Sequence, residues 1–253
     1  MKILIITQED PFYLSTAISK LINKLPQSIK IVGCIVNNVS PFGKKESFLT
    51  KAFKTLRIFG IIFFIRYAVI FVINKFMKNS VSNVLSDNKI KKITLSESIN
   101  SEDSLQLIKS YKPDLLISIA SNEIFKKPLI DLAPQGCINL HSALLPKYRG
   151  LMPCFWVLKN NEEYTGVSVF YVDEGIDSGN IIVQKKIKIN DMSLEKLIKT
   201  CKDVGIDAII ESINKIRINN FDVILNDNEK KTYFSFPTSD DVKIFKKLGK
   251  SFF

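Results

Sequence analysis

The sequence predicts a doubly wound α/β fold with a mostly parallel sheet and a short C-terminal extension. Two observations favour this class. Residues 2–7 (KILIIT) and 113–120 (PDLLISIA) are short, continuously apolar runs, as expected for strands buried on both faces. Residues 15–25 show helical apolar periodicity and lie between the first strand and another predicted strand at 29–36. Strand, helix and strand at this spacing predict a βαβ unit with a right-handed crossover.

The remaining elements continue this pattern. Apolar or alternating runs predict strands at residues 90–95, 136–140, 165–172 and 180–189. Helices are predicted at residues 101–111, within 121–134, at 152–160 and at 192–216. We therefore expect one main domain over residues 1–216 and a C-terminal extension over 217–253.

Composition narrows the partners that the chain could bind. The 253 residues carry a net charge of +11, which favours a nucleotide, a phosphate, a nucleic acid or an acidic membrane face, although a lysine-rich proteome explains it equally well. The lysines are dispersed, which makes nucleic acid the weaker choice. Residues 7–12 (TQEDPF) occupy the place of a glycine-rich loop, so no dinucleotide cofactor is expected.

The cysteines and the chain start indicate a cytoplasmic protein without a metal. The four cysteines show no CxxC pair, and one histidine leaves no second nitrogen ligand for zinc. Reduced, buried thiols are the expected state. The start, MKILIITQED, turns acidic too early for a signal peptide and is typical of a first strand.

An apolar helical insertion is predicted at about residues 46–78. Residues 58–73 (IFGIIFFIRYAVIFVI) are shorter than a bilayer span and contain Arg66 near the centre. Three interpretations stay open: a buried helix pair, a homodimer contact, or a basic amphipathic helix in peripheral contact with the inner membrane surface.

The candidate site begins at the single histidine, His141, two residues after Asn139 in a predicted strand. Alternate residues of a strand point to the same side, so both polar side chains lie together at the end of an apolar run. An imidazole exchanges protons near neutral pH, an amide can stabilise an oxyanion, and a carboxylate would stabilise the imidazolium. This set suits acyl transfer to an amine, and a structural core histidine is the alternative.

Two linked motifs carry a resemblance to a known family. Residues 139–150 (NLHSALLPKYRG) followed by 173–179 (DEGIDSG) resemble the signature of formyltransferases that use N10-formyltetrahydrofolate. These include glycinamide ribonucleotide, methionyl-tRNA and nucleotide-sugar N-formyltransferases, and the likeness covers about residues 113–189. The resemblance implies a Rossmann-like formyltransferase fold and a catalytic trio of Asn139, His141 and Asp177.

The resemblance also implies where the folate co-substrate binds. Its pterin would lie against the chain after the strand at 113–120 and against the loop that carries Asp177, contacting mainly backbone groups. The polar segment after the strand departs from the family, which usually has a glycine near Ser121. The implied residues are Ser121, Asn122, Glu123, Ile124, Phe125, Asp173, Glu174, Gly175 and Ile176.

The acceptor is predicted from features of other family members that this sequence lacks. Residues 8–13 do not form the phosphate loop of the glycinamide ribonucleotide enzymes, and residues 217–253 are too few for the C-terminal barrel of the tRNA enzymes. A nucleotide-linked amino-deoxysugar for surface polysaccharide is therefore expected, and a methionyl-tRNA or other small-amine formyltransferase is the alternative. Residues 232–237 (TYFSFP) and these side chains could contact the acceptor: Gln8, Glu9, Asp10, Phe12, Tyr13, Lys147 and Arg149.

Overall fold

The strands of this computed structural model, which describes residues 1–10, 12–37, 47–121, 123–219 and 221–253, form one large sheet and one small sheet. The strands are β1 (Lys2–Gln8), β2 (Lys30–Asn37), β3 (Lys92–Ile93), β4 (Leu115–Ile119), β5 (Cys137–His141), β6 (Arg149–Gly150), β7 (Tyr164–Tyr171), β8 (Ile181–Lys188) and β9 (Tyr233–Phe234).

The large sheet is mostly parallel, as predicted. Its order is β3-β2-β1-β4-β5-β7-β8. The pairings among β3, β2, β1, β4 and β5 are parallel, whereas β7 pairs in antiparallel fashion with both β5 and β8. The chain moves outward from β1 to β3 and then returns to the other side of β1 at β4. This reversal makes the carboxyl ends of β1 and β4 a topological switch point, where open α/β sheets bind ligands.

Helices pack on the faces of this sheet and extend beyond it. They are α1 (Leu14–Lys24), α2 (Phe48–Phe59), α3 (Ile61–Phe76), α4 (Val81–Asp87), α5 (Glu102–Ser110), α6 (Lys127–Ile130), α7 (Pro153–Lys159), α8 (Leu194–Ile218) and α9 (Ser239–Lys247). The sequence predicts α1, α5, α7 and α8 to within two residues at each end. It does not predict α4 or α9, which begin at the capping side chains Ser80 and Thr238.

Alternate residues of β1 supply the two halves of the core. Ile3 and Ile5 face the half that includes α1 and α8, and Leu4 and Ile6 face the half that includes α5 and α6. All four side chains are fully buried. Each such burial contributes about 1.5–3 kcal/mol of transfer free energy, so β1 has to be apolar on both faces.

The apolar insertion is not a buried helix pair, which corrects one of the three interpretations. Only Phe59 of α2 and Phe63 of α3 are buried. Most of the other large apolar side chains of both helices face outward. Within the described ranges, no helix combines the length and the apolar character needed to cross a bilayer.

The C-terminal extension packs onto the main domain. Phe245 of α9 is fully buried against Phe155 of α7, and the two rings are stacked 4.9 Å apart. The short strand β9 pairs in parallel with β6. The domain boundary after residue 216 stays a prediction, and α8 continues through it to Ile218.

Candidate active site

Polar side chains collect at the carboxyl edge of β1, β4 and β5. Gln8 ends β1 and Ser121 follows β4, and each has a buried oxygen without a hydrogen-bond partner in the part of the chain that the structure describes. Buried polar atoms are normally satisfied. Two such orphan oxygens at the switch point therefore indicate that a ligand or solvent supplies their partners.

Asn139 and His141 lie on the same side of β5, as the strand period predicts. Asn139 is half-buried and pairs in register with Ser118 of β4, and His141 is buried. Across the described residues, the side-chain amide of Asn139 has no hydrogen-bond partner. This amide is thus free to donate to a ligand at the sheet edge.

The imidazole of His141 has one nitrogen occupied and one facing a carboxylate. Its Nε2 lies 2.7 Å from the carbonyl oxygen of Tyr148. That oxygen can only accept, so Nε2 carries a proton and donates it. Nδ1 lies 3.5 Å from Oδ2 of Asp177. Nδ1 therefore faces the carboxylate, while Nε2 is held by the backbone.

Asp177 is held in a fixed position by backbone groups. Its φ of +48° is in the left-handed region, and its Oδ2 accepts a 2.8 Å hydrogen bond from the backbone N–H of Gly150. Gly150 itself has a φ of +95°, and a Cβ there would lie 2.3 Å from the carbonyl oxygen of Phe234. Only glycine fits this close approach, so the motif's last glycine positions the carboxylate.

Asn226, in the C-terminal extension, holds the loop that carries Asp177 by hydrogen bonds. It is 3% exposed, and its Nδ2 donates to the carbonyl oxygens of Asp177 and Gly179, each at 2.9 Å. Its Oδ1 accepts from Arg149 at 2.8 Å. The sequence analysis missed Asn226, because a single asparagine in a polar stretch gives no signal without the tertiary contacts.

Arg149 is not an exposed acceptor ligand, which corrects its predicted role. The side chain is 4% exposed and donates to Asn226 and Asn228. Burial lowers the pKa of this guanidinium below its ordinary value, while Asp177 and Asp173 act in the opposite direction. Arg149 therefore ties the extension to the site loop. Lys147, the other predicted cation, is exposed.

Most of the predicted acceptor residues after β1 fold their own loop instead. The carboxylate of Glu9 accepts from the backbone N–H of Val81 and from Ser82. Asp10 accepts from the backbone N–H groups of Phe12 and Tyr13, both at 2.7 Å. These two carboxylates are satisfied internally and would repel an anionic acceptor, so their predicted binding role is corrected.

Two rings of this loop are also engaged with α3. The hydroxyl of Tyr13 lies 2.7 Å from that of Tyr67, and the ring of Phe12 lies 4.8 Å from that of Tyr67. Burial raises the pKa of Tyr67 to about 12. The hydroxyl pair therefore stays neutral, and these contacts fasten the loop to α3 rather than direct Phe12 and Tyr13 toward an acceptor.

In the predicted folate segment after β4, several side chains already have partners within the protein. Glu123 accepts from Ser98 at 2.8 Å and from the backbone of Ile99 at 3.2 Å, and Phe125 is buried in the core. These two side chains have structural partners, and the prediction that this segment contacts the folate mainly through backbone groups stays a prediction. Ile124 is exposed, and Asn122 lies outside the described residues.

The second predicted folate segment is a tight loop whose tip is exposed. Asp173 accepts from the backbone N–H of Gly175 at 3.1 Å and from the hydroxyl of Ser178. Glu174, Gly175 and Ile176 are exposed at the tip. The loop thus presents backbone and apolar surface beside Asp177.

Together these groups define the class of protein: a doubly wound α/β protein that holds an amide, an imidazole and a carboxylate beside its switch point. The described residues contain no group of three or more histidine, cysteine and acidic side chains arranged to hold a metal ion. An amide donor, an imidazole and a carboxylate can stabilise an oxyanion and move a proton.

The sequence comparison then gives the family. Residues 72–213, more than half of the chain, match the profile of the Formyl transferase family. The chain belongs to this family, and the family prediction made from the two motifs is confirmed.

Curated relatives match a little more than half of this chain. Methionyl-tRNA formyltransferase of Thermodesulfovibrio yellowstonii is 40% identical over 138 residues, which cover 51% of this chain and 45% of the relative. The corresponding protein of Kosmotoga olearia is 36% identical over 146 residues, covering 57% and 47%. The chain spans about half the length of these relatives.

Solved structures share the fold over nearly the whole chain. The N-formyltransferase of Helicobacter canadensis, in complex with folinic acid and dTDP-3-aminofucose, has a TM-score of 0.56 at 20% identity and covers 93% of this chain and 71% of that one. Glycinamide ribonucleotide transformylase 1 of Symbiobacterium toebii has a TM-score of 0.63 at 13% identity, covering 90% and 94%. The predicted formyltransferase fold is confirmed.

Proposed function

We propose that this enzyme transfers a formyl group from N10-formyltetrahydrofolate to a primary amine, with Asn139, His141 and Asp177 as the catalytic residues. The observation that carries this proposal is the arrangement at the end of β5. An amide that has no hydrogen-bond partner among the described residues lies on the same side of the strand as an imidazole whose Nδ1 faces a carboxylate at 3.5 Å. Family membership supports the same chemistry.

The side chains divide the chemical work. The donor supplies a formyl carbon activated by its N10 leaving group. As the acceptor amine bonds to that carbon, the amide of Asn139 and the protonated Nδ1 of His141 stabilise the oxyanion. The C–N10 bond then breaks, N10 gains a proton and the former amine loses one. Asp177 orients the imidazole and stabilises its charged form, while Tyr148 fixes the ring through Nε2.

The donor is proposed to bind between the chain after β4 and the loop that precedes Asp177. Ser121 contributes a hydroxyl oxygen that lacks a partner within the described ranges, and Ile176 contributes apolar surface. Because the side chains of Glu123 and Phe125 are used internally, backbone groups of residues 121–125 are the proposed contacts. Addition of 5-formyltetrahydrofolate should raise the melting temperature, since a ligand at 100 times its Kd adds about 2.7 kcal/mol.

The proposed acceptor is a nucleotide-linked amino-deoxysugar used for surface polysaccharide. Support comes from the N-formyltransferase of Helicobacter canadensis, whose structure holds dTDP-3-aminofucose and covers 93% of this chain. The charge of +11 suits a diphosphate. Gln8, exposed Lys147 and Tyr233, which is 55% exposed, are the proposed acceptor contacts.

A methionyl-tRNA acceptor is the second candidate, because relatives up to 40% identical carry that name. The deciding experiment incubates the purified chain and N10-formyltetrahydrofolate with dTDP-linked 3-amino- and 4-amino-deoxysugars and with methionyl-tRNA. Mass spectrometry should find a mass gain of one formyl group on a sugar nucleotide. Formylation of methionyl-tRNA alone would overturn the sugar assignment but retain the donor chemistry. No formylation of any amine would overturn both.

A cytoplasmic location is proposed for this reaction, since all four cysteines are buried free thiols, as the sequence predicts. Reduced thiols are usual in that compartment. A protease added outside intact cells that express a tagged chain should leave the tag uncut. Cleavage of the tag in intact cells would contradict the assignment.

A further inference from the structure

The outer surface of α2 and α3 is an extended apolar face that the described parts of the chain leave exposed. Nine of its side chains are at least 50% exposed, and the rings of Phe48 and Phe71 lie 6.1 Å apart, so the two helices present one continuous surface. We call it the hairpin face; its most exposed members are Phe48, Leu49, Phe53, Ile61, Ile62, Ile65, Val69, Phe76 and Met77.

Helix α3 has two apolar stripes that face opposite ways. Ile62, Ile65, Val69, Val72 and Phe76 recur at intervals of three and four residues, and all are exposed. Such spacing places them along one side of the helix. A helix that is apolar all round is normally buried on all sides. Here the outer stripe stays about half exposed or more among the described residues, so it offers apolar surface to a partner.

The inner stripe anchors the hairpin to the protein. The ring of Phe63 stacks on Phe59 at 4.5 Å and on Tyr67 at 4.2 Å, and meets Phe252 edge-on at 5.1 Å. Arg66 bonds to Glu195 at 3.1 Å. Because the inner stripe is packed against the protein, the orientation of α3 is fixed. The outer stripe therefore faces away from the protein.

The charge of the hairpin identifies its partner. Residues 47–78 contain six lysines and arginines and no aspartate or glutamate. Arg57, Lys75 and Lys78 are exposed beside the apolar stripe. A contact with a second copy through the same face would bring like charges together without an acidic residue to meet them. An apolar stripe with cationic flanks instead matches a bilayer with anionic headgroups.

We propose that the hairpin face docks in the plane of an anionic lipid bilayer, with its apolar stripe in the headgroup region and its cations at the phosphates. This surface is separate from the carboxyl-edge site. The inference does not depend on formyl transfer, because lipid binding is measured without donor or acceptor.

Vesicle sedimentation tests the proposal. Wild-type protein should sediment with vesicles of equal parts phosphatidylglycerol and phosphatidylethanolamine, and much less with phosphatidylcholine. The variant Ile62→Glu/Phe76→Glu should bind at least about tenfold more weakly, because it places two charges in the apolar stripe. Phe63 is unsuitable for this test, since it is buried.

Two further variants separate the apolar from the electrostatic contribution. Ile218→Glu, at a site 72% exposed on α8, is the matched control for Ile62, which is 77% exposed, and should bind like the wild type. Arg57→Gln/Lys75→Gln should reduce the preference for anionic vesicles severalfold. Circular dichroism and melting temperature check that each variant is folded.

Three outcomes would overturn the proposal. The first is equal sedimentation of wild type and Ile62→Glu/Phe76→Glu. The second is equal binding to anionic and phosphatidylcholine vesicles. The third is absence of vesicle binding together with a dimer, seen by sedimentation velocity, that Ile62→Glu dissociates; this result would assign the hairpin face to a second copy.

Discussion

The imidazole of His141 lies between two oxygen atoms with different roles. The carbonyl of Tyr148 fixes the ring through Nε2, and the carboxylate of Asp177 faces Nδ1. These two neighbours hold the ring in one orientation. General acid–base chemistry depends on such positioning of the imidazole.

Replacement His141→Asn should lower kcat by about 10²–10⁴-fold, the usual contribution of a positioned acid or base. The variant should still fold, because β5 keeps its backbone pairing and an amide remains at its end. Formyl transfer assays and circular dichroism measure the two effects. Turnover within tenfold of the wild type would contradict the catalytic assignment.

Asp177→Asn isolates the charge of the carboxylate. Its amide oxygen can still accept the Gly150 N–H, so the loop should keep its conformation. The negative charge facing Nδ1 is lost, and the charged ring is less stable. We expect kcat to fall by about 100-fold or more with little change in melting temperature. An unchanged kcat would show that Asp177 does not act through His141.

Asn226 is a positioning residue rather than a catalytic one. Asn226→Ala removes both donors to the Asp177 loop and should cost about 1–3 kcal/mol of unfolding free energy. It should also lower kcat more than it raises KM, because Asp177 moves relative to Nδ1. Asn228→Ala, which removes a single contact of Arg149, is the matched control and should leave kcat near normal. Equal effects of the two variants would contradict this role.

At the scale of elements, the extension completes the site that β5 begins. β9 pairs with β6, and the ring of Phe234 stacks on Tyr148 at 5.3 Å and on Trp156 at 4.8 Å. Helix α9 is held by an ion pair of 2.9 Å between Lys159 and Asp241. The extension thus supports the chain around Tyr148 and Gly150, next to His141 and Asp177.

The ion pair between Lys159 and Asp241 makes the stability of the folded protein depend on pH. Desolvation raises the pKa of Asp241, but hydrogen bonds from Lys159 and Thr238 outweigh it and leave the pKa below its ordinary value of 3.8. A lowered folded pKa gives stability that is present above the unfolded pKa and is lost as the pH falls through the folded pKa.

We therefore expect Asp241→Asn to lower the free energy of unfolding by about 0.5–1 kcal/mol at pH 7, as for partly exposed ion pairs. The difference from the wild type should shrink as the pH falls below about 4. Urea titrations at several pH values measure it. A difference that is constant from neutral pH to pH 3 would contradict an ionic origin.

At the scale of the whole molecule, the charge of +11 should govern the encounter with an anionic acceptor. Raising the salt concentration from about 0.05 to 0.5 M should increase KM for a nucleotide-linked sugar severalfold and leave kcat nearly unchanged, because screening weakens long-range attraction. Lys147→Gln should reduce this dependence. Sucrose at equal osmolality is the control, and an equal rise in KM with sucrose would contradict the electrostatic explanation.

The sheet and the family follow from local sequence patterns, and the same patterns predict a candidate site around Asn139 and His141. Continuous apolar runs such as β1 require burial on both faces, and the spacing of Asn139 and His141 places them on one side of a strand. These are local constraints, so local patterns reveal them. The short strands β6 and β9 have two residues each, too few to show any period.

Some side chains take their role from contacts with residues that are far away in the sequence, and these roles are visible only once the chain is folded. Arg149 looks like a substrate ligand until Asn226 and Asn228 are brought to it. Phe63 and Ile62 are equivalent in an all-apolar helix, yet one is buried and the other is 77% exposed. A pattern fixes the angle between residues on an element, whereas packing fixes which side of that element meets the core.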